Sequence, residues 1–159
     1  MILAIDPGNT QSGFVVLGSF GVIDSGIIPN MEMRNRIDRY FSNDILPPNP
    51  PHVAIEQIRN MGMIVGQEVF DTVFWTGRFF ERCADGWNHR AQLVPRNAIK
   101  MHLCGSPRAK DANIRQALIN RWGAPGTKKA PGGTYGVKSH AWSALAVATY
   151  ALDNPDQEP

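Results

Sequence analysis

The chain has 159 residues, 43% hydrophobic and 19% charged, which is one domain's worth of an ordinary globular protein. No run approaches the roughly 20 apolar residues that a membrane span needs, and the short N-terminal apolar run lacks the basic lead of a secretory signal. The net charge of +2 is bland in the sum, so any message lies in how the charges are distributed.

Three apolar, β-branched-rich runs open the chain, at 2–6, 13–17 and 22–28. Pro7-Gly8-Asn9-Thr10 and Gly18-Ser19-Phe20-Gly21 separate them, which predicts an antiparallel meander of three strands. Pro29 should end the third. Residues 31–41 have helical spacing (Met33, Ile37, Tyr40, Phe41), and Pro47-Pro48-Asn49-Pro50-Pro51 reads as a stiff connector. Residues 53–57 form a fourth strand whose unbroken apolar character suits a buried, parallel position. A long helix is expected over 64–84, a fifth strand over 91–95 and a short helix over 97–103. A further helix follows over 111–122, then a loop over 123–137 that is either mobile or functional. The last helix, 139–152, opens with Ser139 as its cap. Cys83 and Cys104 lack metal-ligand spacing and read as buried free thiols in a reducing cytoplasm rather than as a disulfide. A single domain over 1–152 with an acidic tail over 153–159 is the expected organisation.

Two acids stand out. Asp6 ends the run Ile2-Leu3-Ala4-Ile5, and Glu56 ends Val53-Ala54-Ile55. A right-handed crossover would set the first and fourth strands parallel, with both carboxylates at one sheet edge, where a hard divalent cation can sit between them. His140 lies at the start of the last helix, with Ser143 one turn on and on the same face. Such a set suits metal-dependent phosphodiester hydrolysis. Each residue also has a plainer use. Asp6 would cap the Pro7-Gly8 turn, His140 and Ser143 would be surface residues of a helix, and Asp111 would meet the N-terminus of its own helix.

Charge adds a second signal. Between positions 96 and 138 stand Arg96, Lys100, Arg108, Lys110, Arg115, Arg121, Lys128, Lys129 and Lys138, against Asp111 alone among the acids. A phosphate backbone and a solvated basic surface explain this equally well. Phe70, Phe74, Trp75, Phe79 and Phe80 occupy more than one face of the long helix, which suggests a core face and a second buried surface, a dimer interface.

Four segments, in order and in spacing, carry a resemblance. Ile2-Leu3-Ala4-Ile5-Asp6-Pro7-Gly8 with Gly13, and Ala54-Ile55-Glu56-Gln57, resemble the first two acidic motifs of the RuvC-type Holliday-junction resolvases. Pro95-Arg96-Asn97-Ala98-Ile99-Lys100 is similar to the segment that leads to their DNA-contacting lysine. The run from Ser139-His140-Ala141-Trp142-Ser143 to Ala148 is similar to their closing helix. The resemblance implies an α/β, RNase H-like fold, with a central five-stranded mixed sheet and helices on both faces. It implies an endonuclease that uses Mg2+ or Mn2+ on branched DNA, a four-way junction, and works as a homodimer making paired nicks. Its brevity suggests a viral relative, acting in the host cytoplasm. Asp6, Glu56, His140 and Ser143 would be catalytic. Asp6, Glu56 and His140 would hold metal, with Asp111 as a minor candidate. Arg59, Lys100, Arg108, Lys110, Arg115, Lys128, Lys129 and Lys138 would meet DNA.

Two departures from the family pattern matter. The second ligand position of the closing helix is Asp in the family and Ser143 here, a neutral hydroxyl. The aromatic wedge after the second acid is replaced by Ile58-Arg59-Asn60-Met61-Gly62-Met63, where Met61 or Met63 would be the wedge. The alternative is therefore a junction-binding protein that has kept the fold and lost the chemistry. A sugar-kinase or actin-like ATPase, suggested by Asp6-Pro7-Gly8-Asn9-Thr10, needs two such domains and a second Gly-rich motif, for which this chain is too short.

Overall fold

A computed structural model describes residues 1–41, 52–59, 62, 64–84 and 91–155. The elements in chain order are β1 (Ile2–Asp6), β2 (Gln11–Gly18), β3 (Gly21–Pro29), α1 (Asn30–Phe41), β4 (His52–Gln57), α2 (Gln67–Ala84), β5 (Gln92–Pro95), α3 (Arg96–Cys104), α4 (Asp111–Trp122) and α5 (Ala141–Asp153). The Pro-rich connector and the wedge candidates Met61 and Met63 lie outside the described residues.

The five strands form one sheet in the order β3-β2-β1-β4-β5. The first three are the expected antiparallel meander. β4 pairs parallel with β1, and β5 parallel with β4. Strand alternation sorts the side chains onto two faces. Leu3, Ile5, Val53 and Ile55 pack with Met33 and Ile37 of α1 and Phe79 and Cys83 of α2. Ile2, Ala4 and Ala54 pack on the other face with Ile99 of α3, Leu118 of α4 and the body of α5. Helices thus cover both faces of a mixed sheet.

α5 is buried from Ala141 to Ala151, except at half-buried Ser143. It is apolar nearly all round, as a helix enclosed by sheet and neighbouring helices must be. Its alanines let it lie close to the strands. It ends at Asp153 rather than before it, because the Asp153 carboxylate is held by Arg121 at 2.5 and 2.7 Å and by His102 at 2.7 Å.

Two expectations need correction. α2 starts at Gln67, not at 64, because Gly66 is a poor helix former; Ile64 and Val65 before it are exposed. Ser139 does not cap α5. It sits in the left-handed region at φ 42°, and the first-turn N–H groups of Ala141 and Trp142 donate to the carbonyls of Lys138 and Ser139. The loop 123–137 is internally tied. Thr127 and Ala130 exchange backbone hydrogen bonds, Gly132 donates to Pro125, and the buried Thr134 hydroxyl donates to the Gly123 carbonyl. A side chain at Gly133 would lie 1.8 Å from the Trp122 carbonyl oxygen, so the close packing of this loop requires glycine there. Cys83 and Cys104 are free thiols, the first buried and the second half-buried.

Candidate functional site

The site grows from the parallel pairing of β1 and β4. Their register places Ile5 beside Ile55, so Asp6 and Glu56 stand at the next step of each strand. They are in phase with Ala4 and Ala54 and face α5. The turn that follows Asp6 does not depend on its carboxylate. The Gly8 N–H donates to the Ser12 hydroxyl (3.4 Å), that hydroxyl donates to Asn30 Oδ1 (2.7 Å), and Asn30 Nδ2 donates to the Gly8 carbonyl (2.9 Å). Ser12 and Asn30 are buried. The turn is thereby fixed and Asp6 is left for the site.

Asp6 Oδ2 lies 3.1 Å from His140 Nδ1. That approach requires Gly13, which pairs with Asp6 across β1 and β2. A Cβ on Gly13 would fall 2.6 Å from the His140 carbonyl group, so no other residue lets the start of α5 come this close. On the opposite flank, β5 runs parallel to β4 and its last residue, Pro95, pairs with Gln57. Arg96 therefore begins α3 at the sheet edge where Glu56 emerges. Arg96 Nη1 donates to Glu56 Oε1 and Oε2 at 3.0 and 3.1 Å and reaches the Ser143 hydroxyl at 3.3 Å. Arg96 Nη2 donates to Asp111 Oδ1 at 2.7 Å.

The electrostatics follow from burial. Desolvation pushes the Asp6 carboxyl above the usual carboxylate range, opposed by His140 and Arg96. Glu56 is pushed up to about 7, first by desolvation and then by the charge of Asp6, with Arg96 pulling it down. Burial works against the charge of Arg96, but Glu56 and Asp111 outweigh it and hold the guanidinium firmly protonated. Two carboxylates that repel each other in a dry setting, with only partial relief, want a further positive charge.

All four residues expected to be catalytic are gathered here: Asp6 against His140, and Glu56 and Ser143 against Arg96. Asp111 joins by way of Arg96. Among the described residues, however, no three His, Cys, Asp or Glu side chains already stand as a metal-binding group. The basic residues are spread around this centre. Arg59 and Lys100 line a cavity of about 270 Å³ with Glu56 and Arg96. Arg115 lines a neighbouring cavity of about 400 Å³ with Arg96, Asp111 and Ser143, its guanidinium 4.7 Å above the Trp142 ring. Arg108, Lys110, Lys128, Lys129 and Lys138 are exposed beyond these walls.

The sequence places Arg96 in a run of bases and in the segment that leads to Lys100, but does not mark it as a partner of Glu56. Its position directly after a parallel strand was the available signal, since the carboxyl ends of parallel strands are where such sheets build their sites.

The chain is similar in structure to RuvC of Thermus thermophilus, with a TM-score of 0.65 and 20% identity over 99% of this chain and 98% of that one. It has the RuvC, RNase H-like fold. The T. thermophilus RuvC in complex with a Holliday junction substrate matches as well, at TM-score 0.65 and 20% identity, over 97% of this chain and 93% of that one. No protein-family profile and no curated protein matches the sequence.

Proposed function

We propose that the chain is a divalent-metal-dependent endonuclease that resolves four-way DNA junctions by paired nicks. One observation carries the reading. Asp6 and Glu56 stand side by side at the ends of buried parallel strands, both pushed toward protonation by burial, with His140 in contact with Asp6. Likeness of fold to the junction-bound RuvC adds support.

The donor set fits a hard or borderline divalent ion held by Asp6 with Glu56 and His140. Such an ion would supply an activated water and stabilise the leaving oxygen. The chain's own residues do the rest. Arg96 orients Glu56 and offers a guanidinium to the phosphate. Lys100, Arg59 and Arg115 hold the backbone on either side, with Arg108, Lys110, Lys128, Lys129 and Lys138 extending the basic surface. Asp111 steadies Arg96 from α4 and is a reserve ligand. Because imidazole is softer than carboxylate, Mn2+ should support nicking at least as well as Mg2+.

The test is a nicking assay on a synthetic four-way junction. Symmetric nicks in Mn2+, lost on chelation and absent on linear duplex, are expected. A second reading has its own observation: Arg96 already engages both Glu56 oxygens, and Ser143 brings no charge. In that case the chain binds junctions without metal, weakens steeply with salt, and cuts nothing.

Paired nicks need two copies, and α2 supports a homodimer. Trp75 and Phe80 pack on the core and Phe79 is fully buried, yet Phe70, Val73 and Phe74 are exposed, at 60%, 48% and 60%. Three neighbouring apolar side chains on one helix suit a self-complementary contact. Phe74→Glu should convert a dimer to a monomer in sedimentation velocity and reduce paired nicks to single ones. An unchanged dimer would move the interface elsewhere. No helix is long and apolar enough to cross a membrane among the described residues, and a cytoplasmic setting fits a nuclease acting on cellular or viral DNA.

A further inference from the structure

We propose that Arg96 occupies the seat of a second cation, so that the site takes one divalent ion and keeps a guanidinium fixed beside it. This rests on the nuclease reading above and says how that site is charged. The case is geometric. Arg96 is held from three elements at once: Glu56 on β4, Asp111 at the head of α4 and Ser143 on α5, at 2.7 to 3.3 Å. A side chain with that many anchors does not swing aside at no cost. A second divalent ion on this flank would need anionic oxygens. The two carboxylates on this flank, Glu56 and Asp111, already share oxygens with the guanidinium, which leaves Glu56 with capacity for the ion beside Asp6 and none for a second one.

Ser143 completes the pairing. It accepts a hydrogen bond from Arg96 at 3.3 Å, and its oxygen is neutral. With a carboxylate there, Arg96 would be surrounded by three acids. With a hydroxyl there, Arg96 faces only Glu56 and Asp111, and its fixed positive charge, which cannot be titrated away, opposes a doubly charged ion at the same place. Arg96 and Ser143 therefore act as a pair, a resident cation from α3 donating to a neutral oxygen on α5.

The location suits a phosphate contact. Arg96 lines both cavities, the one with Arg59 and Lys100 and the one with Arg115, so a strand passing between them runs over it. A guanidinium has five N–H donors, and Nε is not among the atoms bonded to Glu56, Ser143 or Asp111. A phosphate bound in either cavity would lie beside a fixed positive group, which helps most where negative charge grows during attack.

The test counts ions. Metal-free protein is titrated with Mn2+, free ion being followed by electron paramagnetic resonance and heat by calorimetry, with junction nicking measured in parallel. The native chain should bind one Mn2+ per chain. Ser143→Asp alone should still bind one, its new carboxylate closing on Arg96. Arg96→Gln combined with Ser143→Asp should bind two. Arg96→Lys, which keeps the charge, should bind one and serves as the folded control. Two ions in the native chain, no ion at all, or one ion in a folded double variant would each overturn the proposal. The nuclease reading fails separately: one ion bound with no nicking ends that reading and leaves the count intact, whereas two ions with brisk nicking removes only the role given to Arg96.

Discussion

Glu56→Gln is expected to cut junction nicking by about 10²–10³-fold while making the metal-free protein more stable at pH 8. The two effects share one cause. Glu56 is buried and its carboxyl is pushed up to about 7 from an ordinary 4.5, first by desolvation and then by Asp6, despite the pull of Arg96. Between those two values the folded chain holds a proton that the unfolded chain has released. Rising pH therefore favours unfolding across that window. The stabilising contribution is whole below about 4.5 and lost above about 7. The difference is on the order of 3 kcal/mol. Gln carries no such charge and loses nothing as pH rises. Thermal unfolding with chelator at pH 5 and pH 8 is the measurement. The two proteins should melt together at pH 5, and the variant should melt roughly 6–12 °C higher at pH 8. A gap that does not change with pH would show that Glu56 is not held under electrostatic stress. Asp6→Asn should behave in the same direction, since burial raises that carboxyl as well. Lost nicking together with a raised melting point would be the usual opposition between stability and activity.

The parts of this protein that could be read from its sequence are those set by local pattern. Unbroken apolar runs ending in Asp6 and Glu56 announced two buried strands, and the crossover rule made them parallel, so both acids fell at one edge. His140 was singled out by its place at the head of the last helix and by the resemblance of that helix to the closing helix of the RuvC-type resolvases. What could not be read depends on contacts between residues far apart in the chain. Arg96 sits 40 positions from Glu56 and 47 from Ser143, and only its place directly after a strand separates it from Lys100 or Arg108. The role of Gly13 is equally silent, because it is defined by the backbone of His140. Ser139 misled through its type: Ser before a helix suggests a cap, but the left-handed conformation there serves the sharp entry into α5 rather than a side-chain hydrogen bond. The loop 123–137 read as mobile or functional because it is long and filled with Gly, Pro and Lys; its glycines in fact allow close backbone contacts, which no local pattern announces.

Gly13→Ala is expected to lower both nicking and stability, and the pattern separates geometry from chemistry. The added methyl would lie 2.6 Å from the carbonyl carbon and oxygen of His140 and 2.8 Å from its Cβ. None of these is the loose end of a flexible side chain. Gly13 itself cannot retreat, since it is paired to Asp6 on one side and to Ile27 on the other. The body of α5 cannot retreat either, being buried along its length. Only the first turn of α5 can give, and moving it takes His140 away from Asp6, which it now meets at 3.1 Å. Overpacking of this kind costs about 1–3 kcal/mol, and a displacement near 1 Å at a reacting centre costs about 10²-fold in rate. Junction affinity should hold within a few-fold, because Lys100, Arg59 and Arg115 lie on other elements. Nicking rate, junction binding and thermal unfolding of the one variant test the chain of cause. Normal nicking by a folded Gly13→Ala protein would mean that the contact between His140 and Asp6 is not used. Loss of activity with a lower melting point, beside Glu56→Gln with lost activity and a higher one, is the signature of a site in which one residue supplies charge and another supplies room.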